Sequence, residues 1–340
     1  MKKLFIISNE SIFNYEGQFF CDNIDMKSTP EGLKDNFEIN IIARKSKKIR
    51  SHKINFKSVK TFGNIVSFLI CIFRSAKIDN SKYLAISFTP FTVLACIVLK
   101  IFGKKPHVYL RSDGYGEYKS IIGFFGLPIY HIMFLVGSKI SHLISCRDHI
   151  LRGRKGNVVE PSRLTNKWFS NHKSVNFEKI RILYVGRIRV EKGIFSLLKI
   201  LEKLDKDLSL SIVGAEKISN KTIIQKNVNV YEIETNEDNL IKFYDDHNIF
   251  VLPSYTEGHP MVLLEALARR RPVIIFKEIQ HVIGNKKGIF VSERNYQSFS
   301  ETLNHIKNNY KKIQEEMEKN KLPTSKEFLD KFAKSILDSN

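Results

Sequence analysis

The sequence predicts an α/β chain built as two doubly wound units, and three observations carry that expectation. With 340 residues the chain is longer than one ordinary hydrophobic core accommodates and comfortable for two. Short apolar runs that read as parallel strands buried on both faces alternate with helical patterns along its length. A composition of 43% hydrophobic and 11% aromatic residues is that of a globular protein, because disorder needs low hydrophobicity together with high net charge. No internal repeat at a fixed period is present, which sets aside solenoids.

The first domain is expected over residues 1–165. Residues 4–7 read as its first strand, and Lys2 and Lys3 precede an apolar run too short for a signal peptide, so a cytoplasmic chain is expected. The loop beyond that strand holds Gly17, where a glycine either lets a backbone approach a ligand or simply makes a turn. Further strands are expected at 39–43, 84–88, 107–111, 143–145 and 158–159, with helices at 65–74 and 91–102. Eight Lys or Arg fall between 44 and 60, as a solvated loop or as a membrane or phosphate patch. The stretch 121–136 has no formal charge but is shorter than the roughly 20 residues that span a bilayer. It reads as a core helix or as a segment partly immersed in a lipid surface.

A polar, irregular stretch at 166–178 reads as a linker. The second domain, 179–320, is expected to have strands at 180–185, 208–213, 228–233, 249–252, 273–276 and 289–291. Helices at 193–204, 238–246, 260–269 and 296–319 complete a doubly wound pattern, whose ligands sit beyond the carboxyl ends of the strands. In the tail, 321–340, a helix at 325–337 follows Pro323 and could fold back onto the first domain.

Charge is the departure from the average. The net charge is +20, and residues 1–165 hold 26 Lys and Arg against 12 Asp and Glu, so +14 of it belongs to the first domain. Such a surface fits an anionic membrane or an acidic substrate. Nucleic acid is not expected, because the basic residues lack interleaved aromatics to stack bases. Cys21, Cys71, Cys96 and Cys146 are far apart without metal-ligand spacing and read as reduced core thiols.

Two strand-to-helix turns carry the chemistry. In 186–193, Arg187 and Lys192 flank a turn ending at a helix N-terminus, where two cations and the positive end of the dipole suit a diphosphate, or are merely surface charges. In 254–267, Glu257 stands on the lip of the next helix and Glu265 about two turns further on. Carboxylates there suit vicinal hydroxyls, or simply favour the dipole. Taken together, cations and carboxylates opening on one sheet edge meet the demands of a nucleoside diphosphate sugar.

Glu257 and Glu265, with seven residues between them, match the E-x7-E signature of retaining glycosyltransferases of the two-domain B fold. The run Pro253-Ser254-Tyr255-Thr256-Glu257-Gly258, with Leu264-Glu265-Ala266 and Gly186-Arg187…Glu191-Lys192-Gly193, resembles glycosyltransferase family 4 from about residue 180 to 292. The resemblance implies two Rossmann-like domains facing a cleft and transfer from a UDP- or GDP-sugar without a metal or other cofactor. Arg187 and Lys192 would bind the diphosphate and stabilise the leaving group, and Glu257 would contact the sugar near its 3-hydroxyl. The Gly258 and His259 N–H groups would face the sugar or its phosphate, and Glu265 would hold the ribose. The His259 side chain reads as an N-cap.

The sequence also departs from the family. Of a Gly-rich loop after the first strand only Gly17 remains, and Asp113, beside Arg111, stands near where a histidine is habitual. Gly17, Arg111 and Asp113 are carried as acceptor-side residues, Asp113 also as a catalytic one, with an Asx turn as its alternative. Ala215 and Arg271 replace usual glycines. The expected acceptor is a lipid-linked glycan of bacterial surface polysaccharide or lipopolysaccharide, met at the inner face of the membrane. The alternatives are a non-catalytic nucleotide-sugar-binding or scaffold protein and, behind it, a basic nucleic-acid-binding protein suggested by the net charge alone.

Overall fold

The structure, a computed structural model, describes all residues except 24, 51, 57, 174, 176, 178, 205–207, 216–226, 339 and 340. Lys57 of the basic stretch and three positions of the expected linker therefore lie outside the described residues. The chain divides into two units, Met1–Pro161 with Lys326–Asn340, and Ser162–Ser325. The division falls ahead of the expected linker at 166–178, and Trp168 is the reason. Its ring is buried in the core of the second unit and its indole N–H donates to Glu237 at 2.9 Å. One anchoring aromatic in a polar stretch outweighs the composition around it. The last helix, Ser325–Leu337, buries Phe328, Phe332 and Ile336 in the core of the first unit.

In the first unit, parallel strands lie in the order Ser58–Phe62, Phe37–Lys45, Lys2–Tyr15, Ser81–Ile86, His107–Leu110, His142–Ser145 and Gly156–Val158. The first strand is far longer than 4–7. After a register shift between Ile7 and Ser11 it runs to Tyr15 and turns through Glu16 (φ 48°) and Gly17 (φ 77°) into the antiparallel strand Gln18–Cys21. A two-residue turn with both φ positive matches the twist of a hairpin. The basic stretch contributes strands His52–Ile54 and Ser58–Phe62, which the sequence reading missed.

Side chains alternate across this sheet. Phe5, Ile7, Ala85 and Val108 face a layer of three helices, Ile65–Ala76, Pro90–Ile101 and Gly126–Ile140, while Leu4, Ile6, Ile41 and Leu84 face the C-terminal helix. Cys21, Cys96 and Cys146 are buried, and burial pushes their thiols up to about 11, 12 and 11, so they stay protonated.

The second unit has six parallel strands in the order Val228–Glu232, Leu208–Ala215, Ile180–Val185, Ile249–Leu252, Val273–Phe276 and Ile289–Ser292. Numbered along the chain, that is 3-2-1-4-5-6, and the order reverses between Ile180–Val185 and Ile249–Leu252. A doubly wound sheet opens its ligand crevice at such a reversal. The helix expected over 296–319 is two, Tyr296–Asn308 and Tyr310–Met317. Asn309 leaves helical geometry between them, and Tyr310 donates its hydroxyl to Asn248 O at 2.9 Å while its ring meets Phe177.

Candidate active site

The two loops singled out in the sequence follow the two strands that flank the reversal. In the first, a turn at Val190–Lys192 ends at Gly193, whose φ of 68° lies in the left-handed region, and helix Ile194–Leu201 begins. A Cβ at Gly193 would stand 1.9 Å from Pro253 O, so only glycine lets the second loop lie against the first. Tyr255 N–H adds a bond to Glu191 O at 3.0 Å.

This contact brings Lys192 and Glu257 together. Lys192 Nζ lies 2.6 Å from Glu257 Oε1, and Ser254 Oγ donates to the same oxygen at 2.7 Å. The Glu257 side chain is 11% exposed and that of Lys192 25%, so the pair is mostly withdrawn from water yet reachable. The cation expected to face phosphate and the carboxylate expected to face a hydroxyl thus meet each other. Arg187, on the same loop, has an exposed side chain, and its carbonyl accepts the Tyr184 hydroxyl at 2.8 Å. Burial, with the Glu257 charge second, raises the Tyr184 phenol above its usual range.

Glu265 sits inside helix Met261–Ala268, buried, with Oε2 accepting the Tyr244 hydroxyl at 2.9 Å. Burial holds its carboxyl above the usual range. The N-cap of this helix is Pro260, without a side-chain cap bond, which corrects the expectation for His259. Proline supplies the extended φ that starts the helix, leaving Gly258 and His259, both half-buried, in the loop before it.

Glu265 yields a prediction in which stability and binding move oppositely. A folded-state pKa raised above the 4.5 of an exposed glutamate is a cost of folding, absent below that value and growing as pH rises above it. Glu265→Gln is therefore expected to raise the thermal midpoint near neutral pH, with the gain vanishing toward about pH 4, while weakening nucleotide binding. Calorimetric scans across this range, with UDP or GDP titrations, measure both.

Sequence reasoning missed Arg294, which lies between strand Ile289–Ser292 and helix Tyr296–Asn308. Its guanidinium donates to Pro253 O at 2.9 Å, Ser254 O at 3.3 Å, Ser196 Oγ at 2.7 Å and Glu278 Oε1 at 2.7 Å. It also lies over the Tyr255 ring at 4.0 Å and the Phe276 ring at 4.2 Å. A planar fork that binds two consecutive carbonyls and stacks on the next side chain fixes that loop in place. His281 Nε2 is 2.7 Å from Glu257 O, a second hold on the same loop. Nothing in the spacing of a lone Arg pointed to this contact.

The first-unit candidates lie on two loops. Gly17 is an exposed hairpin tip with nothing within 4 Å of where its Cβ would stand. Asp113 caps helix Gly114–Ile122 by accepting Tyr115 N–H at 3.3 Å, the Asx-type alternative, and pairs with Arg152 at 3.1 Å. Arg111, at the end of strand His107–Leu110, accepts the Cys146 thiol on its carbonyl at 3.2 Å. Among the described residues no group of three or more His, Cys, Asp or Glu could hold a metal.

Two Rossmann-like units, the second with paired βα loops at its strand reversal, have the architecture of the glycosyltransferase B fold. Solved structures agree on the fold: Anabaena HepE in complex with UDP has a TM-score of 0.67 at 12% identity, over 99% of this chain and 96% of that one. The lipopolysaccharide glycosyltransferase WaaG has a TM-score of 0.64 at 12% identity, over 98% and 100%. Residues 167–322, nearly all of the second unit, match the family of glycosyl transferases group 1. CapM, a capsular polysaccharide biosynthesis glycosyltransferase of Staphylococcus aureus, is 24% identical over 81% of this chain and 82% of its own length.

For a glycosyltransferase with this site, Arg294→Ala is expected to lower turnover by about ten- to a hundredfold through a loosened Glu257 loop. Arg294→Lys should recover little of it, since an ammonium cannot hold two carbonyls and stack at once. Steady-state rates of the two variants check this.

Proposed function

We propose that this chain is a retaining glycosyltransferase that moves a sugar from a UDP- or GDP-sugar to a lipid-linked glycan, in assembly of bacterial surface polysaccharide or lipopolysaccharide, at the cytoplasmic face of the membrane. One observation carries the donor half of this reading: Lys192 and Glu257 converge to 2.6 Å from two loops at the strand reversal, with Arg187 on the same edge. A donor diphosphate would draw Lys192 away from Glu257 and, with Arg187, receive the charge that builds on the departing phosphate. The released Glu257 carboxylate would then accept a sugar hydroxyl. Glu265, buried beside Tyr244, would hold the ribose. With two cations at the leaving group, the transfer is proposed to proceed without a metal.

The acceptor half draws on the capsular and lipopolysaccharide roles in the names of CapM and WaaG, and on the +14 charge of residues 1–165. Release of UDP or GDP from a panel of donors, with a lipid fraction as acceptor and EDTA present, tests the reading. Turnover should survive EDTA, and the anomeric configuration should be retained. Calorimetry that shows donor binding but no turnover would favour a binding protein instead.

A further inference from the structure

The helix layer over the first sheet has two apolar faces, and only one is used by the core. Helix Ile65–Ala76 buries Phe68 and Ile72, yet Val66, Ile70 and Phe73 are exposed on its other side. Helix Gly126–Ile140 buries Tyr130, Met133 and Phe134, yet Phe125, Ile129, Ile132 and Val136, spaced four, three and four, form a second stripe facing outward. Ile97 and Ile101 do the same on Pro90–Ile101, the helix between them, which packs against both. Among the described residues, nine large apolar side chains are at least as exposed as Val66, at 62%, and six lie on these three helices or on the segment leading into Gly126–Ile140: Val66, Ile101, Ile121, Phe124, Phe125 and Ile132. Scattered apolar residues need no explanation, but stripes on adjacent helices form a patch.

The apolar segment Gly114–Ile140 is long enough by composition to cross a membrane. The fold breaks it at Gly123, φ 66°, into Gly114–Ile122 and Gly126–Ile140. The longer piece has 15 residues, about 22 Å of helix against a hydrocarbon core of about 30 Å. Close packing fixes the bend, since a Cβ on Gly126 would stand 2.1 Å from Tyr118 O and one on Gly114 2.1 Å from the Tyr130 ring. The break presents Ile121, Phe124 and Phe125 at the tip of the resulting hairpin.

Charge identifies the occupant. Each of the four helices carries a cation in its last turn, Arg74, Lys100, Lys119 and Lys139. From residue 60 to 140 there are ten Lys or Arg against three Asp or Glu. A second copy of the chain would bring like charges together, whereas an anionic bilayer supplies an apolar interior under a negative surface. We infer that this helix layer docks on an anionic lipid bilayer, with Ile121, Phe124 and Phe125 entering the acyl region and the helix-end cations meeting the headgroups. The inference names the membrane partner of the glycosyltransferase reading and rests on that reading for its biological meaning.

Vesicle sedimentation and a tryptophan reporter test it. Wild-type chain should sediment with vesicles of phosphatidylcholine mixed with phosphatidylglycerol, and much less with phosphatidylcholine alone or in high salt. Phe124→Ser/Phe125→Ser should lower partitioning by at least about tenfold while the thermal midpoint holds, because both rings are already in water. In Phe124→Trp, brominated lipids should quench the new fluorophore, against a constant signal from Trp168, buried in the second unit. Equal partitioning of the wild type and the serine variant, or no quenching, would overturn the inference. So would a dimer in solution that the serine variant dissolves, which would make this face a subunit contact. Vesicle binding without turnover of any donor would leave the surface standing and remove the functional reading instead.

Discussion

Lys192→Ala is expected to lower turnover by about a hundred- to a thousandfold, the loss found when one preorganised donor is removed from a developing negative charge. The side chain is well placed for that role. Gly193 follows it directly and is pinned against Pro253 O, so the Lys192 backbone has little freedom. Three-quarters of the Lys192 side chain is out of water, which strengthens its pull on a phosphate oxygen. The variant leaves Glu257 with the Ser254 hydroxyl still donating to Oε1, so the carboxylate stays in place and the loss falls on the leaving group. A purely structural ion pair predicts something else: Lys192→Ala and Glu257→Ala would lower the thermal midpoint alike and leave turnover intact. Rates of UDP or GDP release, measured with thermal midpoints for both variants and the double variant, separate the two. Turnover unchanged in Lys192→Ala would dismiss it as a leaving-group residue.

The strands of the second unit were legible because parallel strands covered on both faces must be continuously apolar. Ile249–Leu252 and Val273–Phe276 are uninterrupted runs whose burial is complete along their length. The carboxylates and cations were legible for a related reason, since a doubly wound sheet puts every strand-to-helix loop on one edge. Contacts that depend on the third dimension could not be read. Arg294 reaches carbonyls of a loop about forty residues earlier, and backbone acceptors leave no mark on residue identity. In the first unit, Lys2–Tyr15 exceeds its apolar core because its outer half pairs in a hairpin, where one face meets solvent and the apolar run breaks up. The linker was misplaced because polar residues signal loops only on average, and Trp168 ties that loop into a core.

Asp245→Ala is expected to destabilise the second unit by about 3–5 kcal/mol, the largest stability effect anticipated for a single change in this chain. Asp245 is buried between two buried arginines. Arg269 grips it with both arms, Nε to Oδ1 and Nη2 to Oδ2, each at 2.9 Å. Arg269 also donates to Trp168 O at 3.1 Å, Ser170 O at 2.6 Å and Asn171 O at 2.9 Å, binding that segment to the end of helix Met261–Ala268. Arg271 reaches Asp245 Oδ1 at 3.4 Å and donates to Tyr244 O at 2.8 Å, Asp245 O at 3.3 Å and Lys173 O at 3.2 Å. Two of those carbonyls end helix Glu237–Asp246, where the dipole is negative. Burial pushes Arg271 below its ordinary range, which marks the cost of placing it there. Arg271 therefore belongs to a structural clamp. Removing the carboxylate strands two buried cations, whereas Arg271→Gly leaves the Arg269–Asp245 pair whole and should cost less. Trp168, the single tryptophan, is packed in that same core and reports its unfolding in urea. The midpoint should fall further for Asp245→Ala than for Arg271→Gly at unchanged slope. The reverse order would mean that Arg271 balances the Tyr244 and Asp245 carbonyls more than the carboxylate balances the arginines.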